Sequence, residues 1–250
     1  MLISFFEEFP TEKDLAKLDL IKWKTKLYLA APGLALFKQL QQKLLKRENV
    51  LETIYWPVLK KKEGYWISPF SQRKALQRVF SELKKQVVPV MLDLELPTTQ
   101  HPSLFCTEFL HFSANKKMIS EFINSYYGET YLAEYFPLDE KRKKRLELVG
   151  LHYQNPKVNV VKMFYHSLHP FTEDFLRESW EKGRQELGKK YILGLGTIAP
   201  GIQGDEPLLA LEQLKRDLTI AREQKIKEVI IFRLGGLTKE YTRVLARFAD

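Results

Sequence analysis

The feature that most constrains the fold is a rhythm repeated eight times along the 250 residues: short runs rich in β-branched and aromatic residues alternate with longer segments of helical periodicity. LISFFEEF leads into TEKDLAKLDLI, which Thr11 is placed to cap; KLYLAA leads into LALFKQLQQKLLKR. LETIYW is followed by the loop VLKKKEGYWISPFSQ and then RKALQRVFSELKKQ, and VVPVMLDLE by a helix around NKKMISEFINSYY. The second half pairs ETYLAEYF with EKRKKRLELV, VNVVKMFYHS with TEDFLRESWEKGRQEL, KYILGLG with EPLLALEQLKRDLTIAREQ, and EVIIFRL with TKEYTRVLARFA. Antiparallel hairpin turns are absent, so each strand needs a covering helix before the next parallel one. Eight such units predict an α/β chain folded as a (β/α)8 TIM barrel, a single domain over residues 1–250. A doubly wound open sheet usually has fewer units and often a Gly-rich first turn, whereas the first strand here runs into EEFPTEK without a glycine.

Composition narrows the function classes. A hydrophobic share of 44% is enough for one sizeable core. No run of about 18 uncharged apolar residues occurs, so no membrane span is expected. MLISFFEEFP acquires acidic residues too early for a secretory signal, and the single cysteine cannot form an internal disulfide. A cytoplasmic location is the expectation. Cys106 reads as a small buried or half-buried residue, not a nucleophile. The net charge of +9 invites a nucleic-acid partner. Its densest run, KRKKR at 141–145, however, lies on a helical segment whose apolar residues turn most of the basic ones outward, and no RNA- or DNA-binding motif is present. His101 and His111 follow strand four and His166 and His169 follow strand six, without metal-ligand spacing. No metal or cofactor is expected.

In a barrel of this kind, polar residues at the C-terminal ends of strands are the candidates for chemistry. The fourth strand ends in two carboxylates, Asp93 and Glu95, inside VMLDLELP. Alternation places both on the face of Met91, with α-carbons roughly 6.5–7 Å apart. Each raises the other's proton affinity, which suits acid–base work on a leaving group; helix capping or pairing with a lysine is the structural alternative.

These residues resemble known motifs. VVPVMLDLE looks like the fourth strand of the family 18 glycoside hydrolases, the chitinase-like barrels, which ends in D-x-E, and more weakly like the D-x-E strand of the family 25 lysozymes. KMFYHS resembles the family 18 M-x-Y-D segment through Met163 and Tyr165. The resemblance implies that Glu95 is the general acid protonating the glycosidic oxygen. It likewise implies that Asp93 steadies the substrate's N-acetyl group as that group attacks the anomeric carbon, and that Tyr165 hydrogen-bonds it. The implied partner is a carbohydrate containing N-acetylhexosamine. Within the longer D-x-x-D-x-D-x-E pattern the earlier aspartates fall on Val88 and Met91, and His166 occupies the sixth-strand aspartate position. In the family 25 comparison Glu7 or Glu8 would have to replace a first-strand aspartate.

Other residues at or after strand ends suit a sugar site. Tyr55, Trp56, Trp66, Tyr135 and Tyr165 could present flat faces to sugar rings, Glu8, Glu134 and Glu7 could accept hydroxyl protons, and His166 could reach the mouth; packing of the barrel rim explains the aromatics equally. Trp66 stands out because its loop is polar, with a lysine run and a glycine.

Two further readings stay open. Gly194, Gly196, Gly235 and Gly236 follow strands seven and eight, where many barrels bind phosphate, so an isomerase or aldolase for a phosphorylated sugar is coherent with the excess of Lys and Arg. An aldolase would need a lysine inside a strand, and Lys162 has the parity opposite to Met163 and Tyr165. A non-catalytic glycan-binding barrel is the third reading, favoured by Val88 and Met91 standing where the family has aspartates.

Overall fold

The computed structural model describes residues 1–97, 102–136 and 140–250; His101 lies outside them. Eight strands run in chain order, β1 (Leu2–Glu7), β2 (Thr25–Ala31), β3 (Val50–Pro57), β4 (Val90–Asp93), β5 (Thr130–Tyr135), β6 (Asn159–Phe164), β7 (Tyr191–Gly196) and β8 (Glu228–Phe232). They are neighbours in that order and the sheet closes on itself, giving the expected (β/α)8 barrel. The helices are α1 (Glu12–Leu15), α2 (Leu34–Leu44), α3 (Arg73–Leu83), α4 (Leu104–Thr107), α5 (Phe112–Ser125), α6 (Glu140–Leu148), α7 (Glu173–Leu187), α8 (Leu211–Glu223) and α9 (Lys239–Leu245). Among the described residues no helix is long and apolar enough to cross a membrane.

Two compact units divide the chain, one of residues 1–30, 40–54 and 160–250, the other of residues 31–39 and 55–159. In the first, β1 lies between β2 and β8, with Phe6 level with Tyr28 and with Phe232. Their rings touch, at centroid distances of 5.5 and 6.2 Å. Towards the N-terminal strand ends, Ser4 and Tyr28 hydroxyls both donate to Glu228 Oε1, at 2.7 and 3.0 Å. Ser4, Phe6, Tyr28, Glu228 and Phe232 therefore share the inner face, and alternation sends Phe5, Leu27 and Ile231 towards the helices. Phe164 packs edge-on against Trp180 of α7, so Lys162, two residues earlier, also points at the helix layer.

Local chemistry explains most element ends. Thr11 caps α1 by accepting from the Asp14 N–H. The helix expected over residues 11–21 breaks after Leu15 into a 3₁₀ segment, Ala16–Leu20. Its end is held by Asn49, whose side-chain amide donates to the carbonyls of Leu18 and Ile21 at 2.9 and 3.0 Å. Thr172 caps α7, whose first turn carries Glu173 and Asp174 against the helix dipole.

In the second unit, β4 pairs with β5 so that Met91 lies beside Tyr131 and Asp93 beside Ala133. The strand is shorter than the run VVPVMLDLE suggests because Pro89 has no N–H to donate to a ladder. Beyond Asp93 the Leu94 N–H still donates to the Ala133 carbonyl, so the chain stays extended for one more residue. Cys106, expected to be buried or half-buried, is exposed on α4, where Leu104 supplies the buried contact.

Candidate active site at the strand ends

In the second unit, register decides which side chains meet. Tyr55 is level with Val90, so alternation puts Trp56 on the face of Met91 and Asp93, together with Tyr131, Ala133 and Tyr135. Asp93 ends β4, whereas Glu95 lies two residues past it and is half-buried. Tyr135, the last residue of β5, donates its hydroxyl to Glu95 Oε2 at 2.7 Å. Asp93 hydrogen-bonds the same carboxyl. Loss of solvent pushes the Glu95 pKa above the ordinary carboxylate range, while the bonds from Tyr135 and Asp93 pull it back. Two carboxyl groups in hydrogen-bond contact repel each other when both are ionised, so the pair favours a form that shares one proton.

The loop after β3 lies against this pair. The Ile67 N–H donates to the Asp93 carbonyl at 2.9 Å, which holds the loop backbone against the end of β4. Trp66 is not the open platform that its polar loop suggests: it is 9% exposed and packs edge-on with Tyr65. The loop is folded inward because Glu63 is bound by Arg78 and its carboxylate accepts from the Lys60 N–H. Trp56 is 3% exposed.

Three of the candidate residues make contacts with the surrounding helices and loops. Tyr55 faces the helices, its ring 5.1 Å from that of Phe37. Glu134 is fully buried on the face opposite Tyr135, and His152 Nδ1 bonds its carboxylate. His166, in the first unit, does not turn inward either: it packs against Phe171 and lies 2.8 Å from Arg216 Nη2 and 3.5 Å from Asp217 Oδ1 on α8. Burial and the nearby guanidinium lower its pKa, so it is neutral at pH 7. Asp217, in turn, is desolvated and pushed up to about 6 despite Arg216.

Elsewhere in the first unit, Glu8 shares the inner face with Phe6 and is 5% exposed. Glu7 points the other way. It accepts from Arg233 Nη1 at 2.9 Å and from the N–H groups of Phe9 and Gly235 at 2.8 and 2.7 Å. Desolvation still raises its pKa to about 7, with Arg233 opposing. Half-buried Tyr165 follows β6 and rests against Phe232, ring centroids 5.7 Å apart.

The glycines have structural reasons. Gly194 and Gly196 lie inside β7, not after it. A Cβ on Gly196 would sit 3.0 Å from Phe232 Cβ and 3.4 Å from the Tyr165 ring, so its absence lets those two side chains meet. Gly235 gives its N–H to Glu7 and Gly236 gives its N–H to the Arg233 carbonyl at 3.1 Å. Phosphate at this corner would have to displace a carboxylate already seated on the Gly235 amide. Among the described residues no group of three or more His, Cys, Asp or Glu could hold a metal ion.

Neither a family model nor a curated protein sequence matches the chain. Solved structures do match by fold. A GH18 chitinase from Pseudoalteromonas aurantia superposes with a TM-score of 0.59 at 11% identity, covering 99% of this chain and 100% of its own. The spore cortex-lytic enzyme SleL from Bacillus cereus gives 0.60 at 11% identity, over 100% of this chain and 74% of its own. A xylose isomerase domain protein from Planctomyces limnophilus gives 0.56 at 9% identity, over 99% and 94%. The fold is thus that of chitinase-like glycoside hydrolases, and it is shared with an isomerase-type barrel. Chemistry has to be argued from the site.

Proposed function

We propose that the chain is a glycoside hydrolase-like protein acting on an N-acetylhexosamine-containing glycan, with Glu95 as general acid and Asp93 as the assisting carboxylate. The observation that carries this reading is the hydrogen bonding of Glu95 to both Tyr135 and Asp93 at the ends of β4 and β5. A general acid must hold its proton until the glycosidic oxygen accepts it, and the desolvation of Glu95 favours its protonated form. Asp93 would then steady the acetamido group as its oxygen attacks the anomeric carbon, and Glu95, now ionised, would accept a proton from the water that completes hydrolysis. Trp56 and Trp66 are proposed as apolar walls for the sugar.

A second reading, glycan binding without turnover, is favoured by one feature. Met91, fully buried, lies on the Asp93 face where the family pattern has an aspartate. One experiment separates the two. Glu95→Gln is expected to abolish turnover of an N-acetylglucosamine oligomer while retaining binding. Unchanged turnover by this variant would remove Glu95 as the acid, and binding without turnover by the wild type over several linkages would establish the non-catalytic reading.

A further inference from the structure

Helix α6 is unusual for a helix of such a barrel, because none of its residues is buried. It carries five consecutive basic residues, Lys141 to Arg145. Lys141, Lys144 and Arg145 are exposed and Lys143 is half-exposed. None of these four forms an ion pair with a described residue. Unscreened like charges on a short helix cost stability, and here they support no core in return.

The placement of this helix suggests what the charge is for. Tyr135, which holds Glu95, is followed at once by Phe136, and the Arg142 guanidinium lies over the Phe136 ring at 5.6 Å. The far end of the helix is fastened to α5: Lys116 Nζ donates to the carbonyls of Glu147 and Leu148 at 2.6 and 3.1 Å. A basic helix is thus pinned at both ends, and its first turn begins five residues after the hydrogen-bond partner of Glu95. A membrane surface would need an apolar face to insert between headgroups. Only Leu146 and Leu148 are apolar in this helix, and Leu146 is half-buried.

We propose that the basic helix α6, anchored by Arg142 on Phe136 beside the Tyr135–Glu95 pair, selects an anionic glycan bearing carboxylates on an N-acetylhexosamine backbone. The inference rests on the proposed glycan site and adds the class of glycan to it. Lys141, Lys143, Lys144 and Arg145 attract the substituent charges and raise the rate of encounter, an effect that salt suppresses.

The test compares two probes with the full-length chain by calorimetry, neutral chitohexaose and a hyaluronan hexasaccharide, at 50 and 200 mM salt. The expected result is at least about tenfold tighter binding of the anionic probe at low salt, shrinking at high salt. In the variant K141E/K144E/R145E the ratio of the two affinities should fall to about one. Its thermal midpoint should stay within about a degree, because no buried contact is touched. Equal binding of the two probes by the wild type would overturn the anionic selection while leaving the glycan site standing. Binding of neither hexasaccharide would instead count against the glycan site itself. Duplex DNA or polyphosphate bound as tightly as the hyaluronan probe would also overturn the proposal, by showing that the helix reads phosphate charge without a sugar.

Discussion

Tyr135 and Glu95, 40 residues apart in the chain, are joined by a hydrogen bond of 2.7 Å that exists because β4 and β5 pair with Asp93 beside Ala133. That bond stabilises the ionised form of Glu95 against the desolvation that favours the neutral one.

Tyr135→Phe should therefore raise the Glu95 pKa further. If the protonated acid is the active form, the basic limb of the pH–rate profile moves to higher pH while its acidic limb is less affected. Turnover of an N-acetylglucosamine oligomer measured across the pH range would reveal this, and a basic limb moved to lower pH would contradict the assignment.

Tyr55 is fully buried and its hydroxyl has no hydrogen-bond partner among the described residues. A buried hydroxyl without a partner costs roughly 1–3 kcal/mol. Tyr55→Phe should leave the protein as stable or more stable, by about 1 kcal/mol, with glycan affinity unchanged. A lowered denaturation midpoint or weakened glycan binding would show that the hydroxyl is used.

Glu134 lies on the face opposite Tyr135 and is bound by His152. Glu134→Gln should cost about 1–3 kcal/mol in chemical denaturation, since it weakens a charge-assisted buried bond. Its KM for the oligomer should stay within about twofold. A KM effect without a stability effect would return Glu134 to the sugar site.

Glu7 has a folded-state pKa raised from 4.5 to about 7. The folded state therefore binds the proton more tightly than the unfolded one, and this group's contribution is fully present below about pH 4.5 and is lost as pH rises through about 7. Asp217, raised from 3.8 to about 6, acts in the same direction over a lower window. Stability followed by denaturant titration should fall between pH 4.5 and 7, by up to about 3 kcal/mol from Glu7. Glu7→Gln should flatten that slope. At pH 7 it should leave stability unchanged or higher, because glutamine carries no charge to desolvate while Arg233 keeps Asp14 at 3.8 Å and the Pro200 carbonyl at 2.9 Å. A slope unchanged in Glu7→Gln would mean that other groups set it.

What the sequence determined by itself is the set of properties that follow from local periodicity. Eight alternations of strand and helix pattern specify the order of elements and, with no hairpin turns, a parallel closed sheet. Parity along a single strand was equally legible: Asp93 takes the face of Met91 in β4, and Lys162 opposes Met163. The tertiary structure decided everything that depends on register between strands and on what lies behind them. Trp56 and Tyr55 differ by one residue, yet one takes the face of Asp93 and the other packs on Phe37. Tyr135 and Glu134 separate in the same way, one onto Glu95 and the other onto His152. A one-residue change of register exchanges the two faces, and register is set by long-range packing that no stretch of sequence contains. The carboxylate that meets the Gly235 amide, Glu7, comes from the other end of the chain for the same reason.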